Sequence, residues 1–480
     1  MTADQQSEER AARRVVVVGA GISGLAAAHA VRRTAPGVEV VVLEASPSVG
    51  GKLTRAEVGG VVVDTGAESM LNRRPEAVAL AREVGLADRL VHPATISANL
   101  WSRGRMRPMP RTLMGVPADG VQLAESGVLS EAGLARAAAE PDQPATHLVG
   151  DVSIGALVEE RFGPEVVDRL VEPLLGGVYA GHAREISARA AVPQVVALLE
   201  QDTSLLRAAA AATAQASGVP VFAGLVGGLA QLPEALAARL DVRTGSTVRD
   251  LARSVEGGWD LVVGSTRDAR VLHADAVVLG TPAAPTARLL ADVAPAASHE
   301  LVAVEYASMA IVTLAFRASD VPATEGSGFL VPPVDGRTVK ASTYSFAKWD
   351  WVRDAGAARA GGEDLLVLRC SVGRHREEAT LQRPDEELVQ VALADLTDAV
   401  GLAAAPVDWH VQRWGGALPQ YAVGHLDRVR RIRDAVASQP GLAVCGATYD
   451  GLGLPACIAS AELAAASVLG AFAAPATMSP

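Results

Sequence analysis

Residues 15–18 are four consecutive valines, and they run directly into Gly19-Ala20-Gly21-Ile22-Ser23-Gly24. Nothing else in the chain restricts its fold as much. An unbroken β-branched run suits a parallel strand buried on both faces, not an alternating surface strand. The glycines spell G-x-G-x-x-G. The first permits a tight turn, the second lets backbone approach a pyrophosphate, and the third lets helix and strand pack closely. A helix opening near Ile22 aims its free amides at that pyrophosphate. A second strand over 38–43 completes a βαβ start, and Glu44 stands 20 residues beyond Gly24. A carboxylate there accepts hydrogen bonds from a ribose diol. An isolated glycine triplet carries little weight, but strand, helix, second strand and acid together predict a dinucleotide site.

Composition narrows the partners. The 480 residues suggest roughly three domain-sized units, not necessarily contiguous. Hydrophobic residues make up 49% and aromatics only 4%, so Ala, Val and Leu do most of the packing. A net charge of -11 argues against nucleic acid, whose phosphates need a basic face. Cys370, Cys445 and Cys457 form no close pair, which disfavours a disulfide framework or a Cys-based zinc site and fits a reducing cytoplasm. No metal is expected. The polar first 14 residues lack the apolar stretch of a secretory signal. The longest uncharged run, 208–231, is interrupted by Pro220 and several glycines. No integral membrane segment is expected from it.

Beyond Glu44-Ala45 comes Gly50-Gly51-Lys52. A second glycine pair and a basic residue after the acidic strand end resemble FAD domains of the glutathione-reductase group. Lys52 then lies near the pyrophosphate or the isoalloxazine edge, or is a solvated turn lysine. A second G-x-G-x-x-G does not occur, so a separate NAD(P)H domain is not expected and O2 is the natural electron acceptor.

Several further segments resemble the protoporphyrinogen/coproporphyrinogen oxidase family, within the wider amine-oxidase-like flavoproteins, over nearly the whole chain. They are Asp64-Thr65-Gly66-Ala67-Glu68-Ser69-Met70-Leu71 with Arg73-Arg74-Pro75, Met109-Pro110, and Glu172-Pro173-Leu174-Leu175-Gly176-Gly177-Val178-Tyr179-Ala180-Gly181. Near the end come Arg413-Trp414, Ala417-Leu418-Pro419-Gln420-Tyr421, Gly424-His425 and the box 446–458. Members often carry Asp where this chain has His182 and Ala456.

The resemblance implies noncovalent FAD contacted by Gly19, Ala20, Gly21, Ile22, Ser23, Gly24, Glu44, Ala45, Gly51, Lys52, Gly66, Ala67, Glu68, Ser69, Val248, Trp414, Leu452, Gly453 and Leu454. It implies a porphyrinogen substrate, with coproporphyrinogen III preferred over protoporphyrinogen IX, oxidised by repeated hydride transfer to flavin with H2O2 formed in air. No protein acid or base is implied, and product release toward the next haem-pathway enzyme is an implied partnership. A carrier of porphyrin without turnover is the contrasting class.

Carboxylate partners are sought among arginines, whose fork matches a carboxylate bidentately. Arg103, Arg105 and Arg107 fall on one face if they share a strand, and otherwise mark a solvated hairpin. Arg73 and Arg74 are rivals. Tyr179 either lines the substrate cavity or packs in a helix.

The expected fold is α/β: a glutathione-reductase-type FAD domain assembled from 10–95, 221–295 and 426–475, a mainly helical subdomain over 96–220, and a mixed or antiparallel substrate sheet over 296–425. Helices are expected over 154–162, 166–175, 190–206, 229–240 and 456–472. Strands are expected over 246–251, 259–263, 276–279, 311–316, 328–331, 365–370, 409–414 and 442–445.

Overall fold

In the computed structural model, which describes residues 13–215, 218–358 and 362–473, the valine run is the middle strand of a five-stranded parallel sheet. Its order is Asp241–Arg243, Glu39–Leu43, Arg14–Val18, Ala276–Leu279, Leu442–Val444. Segments from the start, middle and end of the chain thus share one sheet. Both faces of Arg14–Val18 are covered, which is why alternation is absent. Val15 and Val17 meet helices Ile22–Thr34 and Leu454–Ala473. Val16 and Val18 meet an antiparallel layer of Val248–Arg253, Trp259–Ser265 and Asp268–Ala274.

Helix Leu454–Ala473 is long and apolar enough, by length and composition alone, to cross a bilayer. Here it packs on the fingerprint helix, with Ala461, Ala464, Ala465 and Val468 in one cluster with Leu25 and Ala28.

The second sheet has seven strands, ordered Asp408–Pro419, Tyr306–Arg317, Leu365–Val372, Val339–Thr343, Gly328–Leu330, Asn99–Ser102, Arg105–Pro108. It is antiparallel except where Gly328–Leu330 pairs Asn99–Ser102. One face carries Val312, Leu314, Leu368 and Cys370 against helix Asp385–Val400. The other face meets two different bodies. Ala315 and Val367 pack on hairpin Arg55–Val58 and Val61–Asp64, whereas Leu100 and Leu330 pack on the helical subdomain.

Three local expectations need correction. The helix expected over 190–206 is three pieces, Ala188–Ala191, Pro193–Leu198 and Leu205–Ala214. Pro193 has no N–H and ends the first piece, and Ser204 caps the last by accepting from Arg207 N. Residues 99–108, expected in the helical part, form the outer hairpin of the large sheet. Its turn contains Arg103 at φ 55° and Gly104 at φ 68°, so Arg103 lies in the turn and does not share the strand of Arg105 and Arg107.

The helical subdomain holds a buried charge pair. Glu140 and Arg161 are both inaccessible and ion-paired. Glu140 also accepts from Leu205 N at 2.8 Å, and Arg161 donates to Thr203 O at 2.7 Å. Breaking such a pair strands the remaining charge. Glu140→Ala is expected to cost about 3–5 kcal/mol, read as a lower urea midpoint; a loss under about 1 kcal/mol contradicts this account.

Candidate active site

The fingerprint turn is built by contact, not only by flexibility. Gly19 adopts φ 101°. A Cβ on Gly24 would meet Gly19 O at 1.9 Å, so only glycine permits this approach of helix and strand. Gly21, by contrast, faces open space, with nothing within 4 Å of a Cβ position. The helix starting at Ile22 has no side-chain cap on its N-terminus. An uncapped, amide-rich helix end opening onto free space is the cradle a diphosphate fits.

Other segments converge on this cradle. Gly21 and Gly50 form a bridge, and a Cβ on Gly51 would lie 3.3 Å from Gly21 Cα. Glu44 accepts from Ala20 N at 2.7 Å and from Ser46 N at 2.8 Å. These amides fix the carboxylate at the strand end, beside exposed Ala45. Ser246 N donates to Glu44 O at 2.7 Å and brings the strand of Val248 alongside. The half-buried Lys52 faces Cys457 in the first turn of the C-terminal helix, and burial lowers its pKa. Gly446 approaches Ser23, whose Oγ lies 3.6 Å from a Cβ position there. Leu452, Gly453 and Leu454 lead into that C-terminal helix. Two helix N-termini therefore flank Lys52, and the residues present fit a dinucleotide cofactor.

The segment 64–69 is held from the large sheet. Arg369 donates through Nη1 to Asp64 O at 2.8 Å and Gly66 O at 3.0 Å. Trp414 Nε1 donates to Thr65 O at 3.1 Å. A Cβ on Gly66 would strike Lys52 O at 1.9 Å, so this segment lies directly against Lys52, with Ala67, Glu68 and Ser69 partly exposed beyond it. Glu68 pairs with Lys348 at 2.6 Å and Arg369 at 3.5 Å. Burial opposes its ionisation, but Arg369 and Lys348 outweigh it and bring its pKa down to about 2. Arg369 and Lys348 were not singled out from the sequence. A lone arginine inside the apolar strand Leu365–Val372 was the available signal, because a buried charge requires partners.

The substrate-side residues are placed less favourably. Arg103 is bound to Glu165 at 2.9 Å and to Val128 O at 3.1 Å. Arg107 donates to Ser102 O at 3.1 Å, Arg74 pairs with Glu76, and Arg73 and Arg105 are exposed. The strand of Arg105 and Arg107 is at the opposite edge of the sheet from the strand of Trp414, roughly 29 Å away at about 4.8 Å per strand. Tyr179 turns into the helical core, edge-on to Tyr421 and 6% exposed, with its hydroxyl donating to Ala191 O at 3.3 Å. Burial pushes its pKa up to about 12.

Asp64 gives a pH signature. Its carboxylate accepts from Leu229 N at 2.9 Å and Ala230 N at 3.4 Å. Burial nevertheless raises its pKa to about 7 from 3.8. The folded state binds this proton more tightly than the unfolded chain. Its stabilisation is therefore full below about pH 4 and is lost as pH rises through about 7. Asp64→Asn is expected to gain in Tm on the wild type between pH 5 and pH 8; parallel Tm profiles contradict the assignment.

Residues 22–469 match the family described as flavin containing amine oxidoreductase. The chain is 38% identical over 464 residues to a coproporphyrinogen III oxidase of Mycobacterium tuberculosis, covering 95% of this chain and 97% of the relative. It is 32% identical over 475 residues to the coproporphyrinogen III oxidase of Bacillus subtilis, covering 95% and 98%. A crystal structure from Exiguobacterium superposes with TM-score 0.84 at 31% identity, covering 95% of this chain and 98% of that one. With its uncapped dinucleotide cradle and a match spanning almost its whole length, the chain belongs to the flavin-containing amine oxidoreductase family.

Proposed function

We propose that the protein oxidises coproporphyrinogen III to coproporphyrin III in haem biosynthesis, acting in the cytoplasm with O2 as terminal acceptor and H2O2 as by-product. The observation that carries this reading is the two-sided site, in which a dinucleotide cradle is closed from above by a sheet that reaches it through Arg369 and Trp414. The full-length similarity to enzymes named for this substrate supports it.

FAD, when bound, supplies the two-electron acceptor for hydride leaving a meso carbon of the porphyrinogen. The fingerprint amides from Gly19 to Gly24 hold the diphosphate, with Gly51 and Lys52 beside it. Glu44 takes a ribose diol, and Ala45 and Val248 flank the adenosine end. Gly66, Ala67, Glu68 and Ser69 hold the other end with Trp414. Leu452, Gly453 and Leu454 present a helix N-terminus whose dipole favours negative charge at the ring. The large sheet orients the flat substrate over the cofactor and excludes water. The product then passes to the next enzyme of the pathway.

The test uses purified holoenzyme. Anaerobic coproporphyrinogen III is expected to bleach the flavin, and in air porphyrin fluorescence is expected to rise, with kcat/KM above that for protoporphyrinogen IX. Equal or reversed preference reassigns the substrate, and unbleached flavin with bound porphyrin marks a carrier. Glu44→Ala is expected to weaken FAD binding about ten- to a hundredfold, the worth of a hydrogen bond to a charged group. An unchanged FAD Kd removes Glu44 from the cofactor site.

A further inference from the structure

Two tyrosines of the large sheet hold consecutive residues of the segment that leads into the C-terminal helix. Tyr421 is 1% exposed, and its hydroxyl donates to Ala447 O. Tyr306 reaches the next residue. Its hydroxyl accepts from Ala283 N at 2.9 Å, which leaves the hydroxyl hydrogen for Thr448 Oγ1 at 2.8 Å. Thr448 is itself buried. Both tyrosines start from one place in the sheet. Tyr306 opens strand Tyr306–Arg317 and pairs with Pro419, which ends strand Asp408–Pro419 shortly before Tyr421.

The held turn, 446–449, stands where a ligand of such a fold lies. Strands Ala276–Leu279 and Leu442–Val444 are neighbours in the parallel sheet. Ala283 and the turn follow their carboxyl ends, and ligands of open α/β sheets bind in the crevice beyond those ends. Gly446 N donates to Ser460 Oγ at 3.2 Å, and Ser23 of the fingerprint helix lies on the other side of Gly446. The strand that ends at Pro419 also carries Trp414, which holds Thr65 O. One strand and its continuation therefore hold both cofactor segments, 64–69 and 446–454.

The ring of Tyr421 is fixed by packing independent of its hydroxyl. It stacks on His425, with centroids 4.2 Å apart at 15°, and meets Tyr179, the last residue of helix Glu172–Tyr179, edge-on at 5.6 Å and 60°. Ser187 N donates to Tyr421 O at 2.7 Å, and Gln420 Nε2 donates to Tyr179 O at 2.8 Å. A donor on a ring locked in this way sets the position of its acceptor and does not follow it.

We infer that Tyr306 and Tyr421 are positioning residues for the flavin, clamping the turn 446–449 so that the amide-rich start of helix Leu454–Ala473 stays directed at the ring. The inference rests on the proposed function for the place of Leu452, Gly453 and Leu454 beside the ring. Each hydroxyl acts through the backbone or side chain of the turn and touches no reacting atom. Loss of either lets the turn and the helix start withdraw, and negative charge at the ring then loses part of its stabilisation.

Tyr306→Phe and Tyr421→Phe each remove one oxygen and keep the ring. The first measurement equilibrates anaerobic holoenzyme with a two-electron reference dye and reads flavin and dye absorbance together. Each variant is expected to shift that equilibrium about tenfold toward oxidised flavin, the worth of one buried hydrogen bond. With coproporphyrinogen III, kcat is expected to fall about tenfold while KM stays within about twofold. The double variant is expected to add less than about threefold to either single change, because both hydroxyls restrain one turn. Thr448→Val removes the acceptor of Tyr306 and is expected to reproduce Tyr306→Phe, which keeps the test available if that variant folds poorly. A dye equilibrium within about twofold of wild type in Tyr421→Phe and Thr448→Val overturns the inference, whatever happens to Tm. So does a raised KM with unchanged kcat, and full additivity in the double variant overturns the shared clamp. The dye equilibrium needs no porphyrinogen, so a shifted equilibrium in an enzyme that turns over no porphyrinogen removes the proposed function and leaves the positioning role standing.

Discussion

The contact on which the site depends is the guanidinium of Arg369. It leaves the large sheet and holds two main-chain carbonyls of the segment that closes the cofactor cradle. Those carbonyls lie where the strand Val61–Asp64 ends and irregular backbone begins, and a buried carbonyl without a donor is costly. One planar group with several donors satisfies both and brings a positive charge to Glu68. Trp414 completes the arrangement by donating to the carbonyl between them. The large sheet and the loop beside the cradle are thereby fixed to each other by side-chain donors. A mechanism that needs a ring held face-on to a cofactor depends on that fixed spacing.

Charge is used sparingly but deeply around this junction. Two of the three lysines lie at this junction: Lys348 neutralises Glu68, and the carbonyl of Lys52 abuts Gly66. In a chain whose positive charge is otherwise arginine, their positions are not a composition effect. Asp64 is the counterpart on the acidic side. Its carboxylate caps two amides ahead of helix Gln231–Ala237, and a Cβ on Gly228 would strike it at 2.6 Å. The glycine pair Gly227-Gly228 therefore exists for a carboxylate already present in the chain and not for a second dinucleotide.

The hairpin arginines show how one turn alters a reading made from spacing. Arg103, Arg105 and Arg107 were attractive because an arginine every second residue lines one side of a strand. The turn at Arg103-Gly104 divides them, and ion pairing with Glu165 occupies Arg103. A dense basic cluster in sequence is most easily solvated at a sheet edge. Buried Arg369 lies instead at an isolated position in the apolar strand Leu365–Val372, where sequence shows one charged letter among many hydrophobic ones.

Local physics made much of this protein legible without coordinates. The all-valine strand, the glycine spacing, the acid at the next strand end and the Gly-rich approach to the last helix each have a meaning set within about ten residues of backbone, and each fixed an element of the cradle. Strand and helix cores such as Ala276–Leu279 and Ile154–Phe162 were readable for the same reason. The strand Asp268–Ala274 was not, because it exposes one charged face and shows no apolar alternation. Nor was the attachment of residues 99–108 to a sheet formed some 200 residues later, since pairing partners leave no local mark. Which charges are matched was decided only by tertiary structure. Lys348 and Arg369 meet Glu68 across some 280 to 300 residues of sequence, a pairing that no local pattern announces.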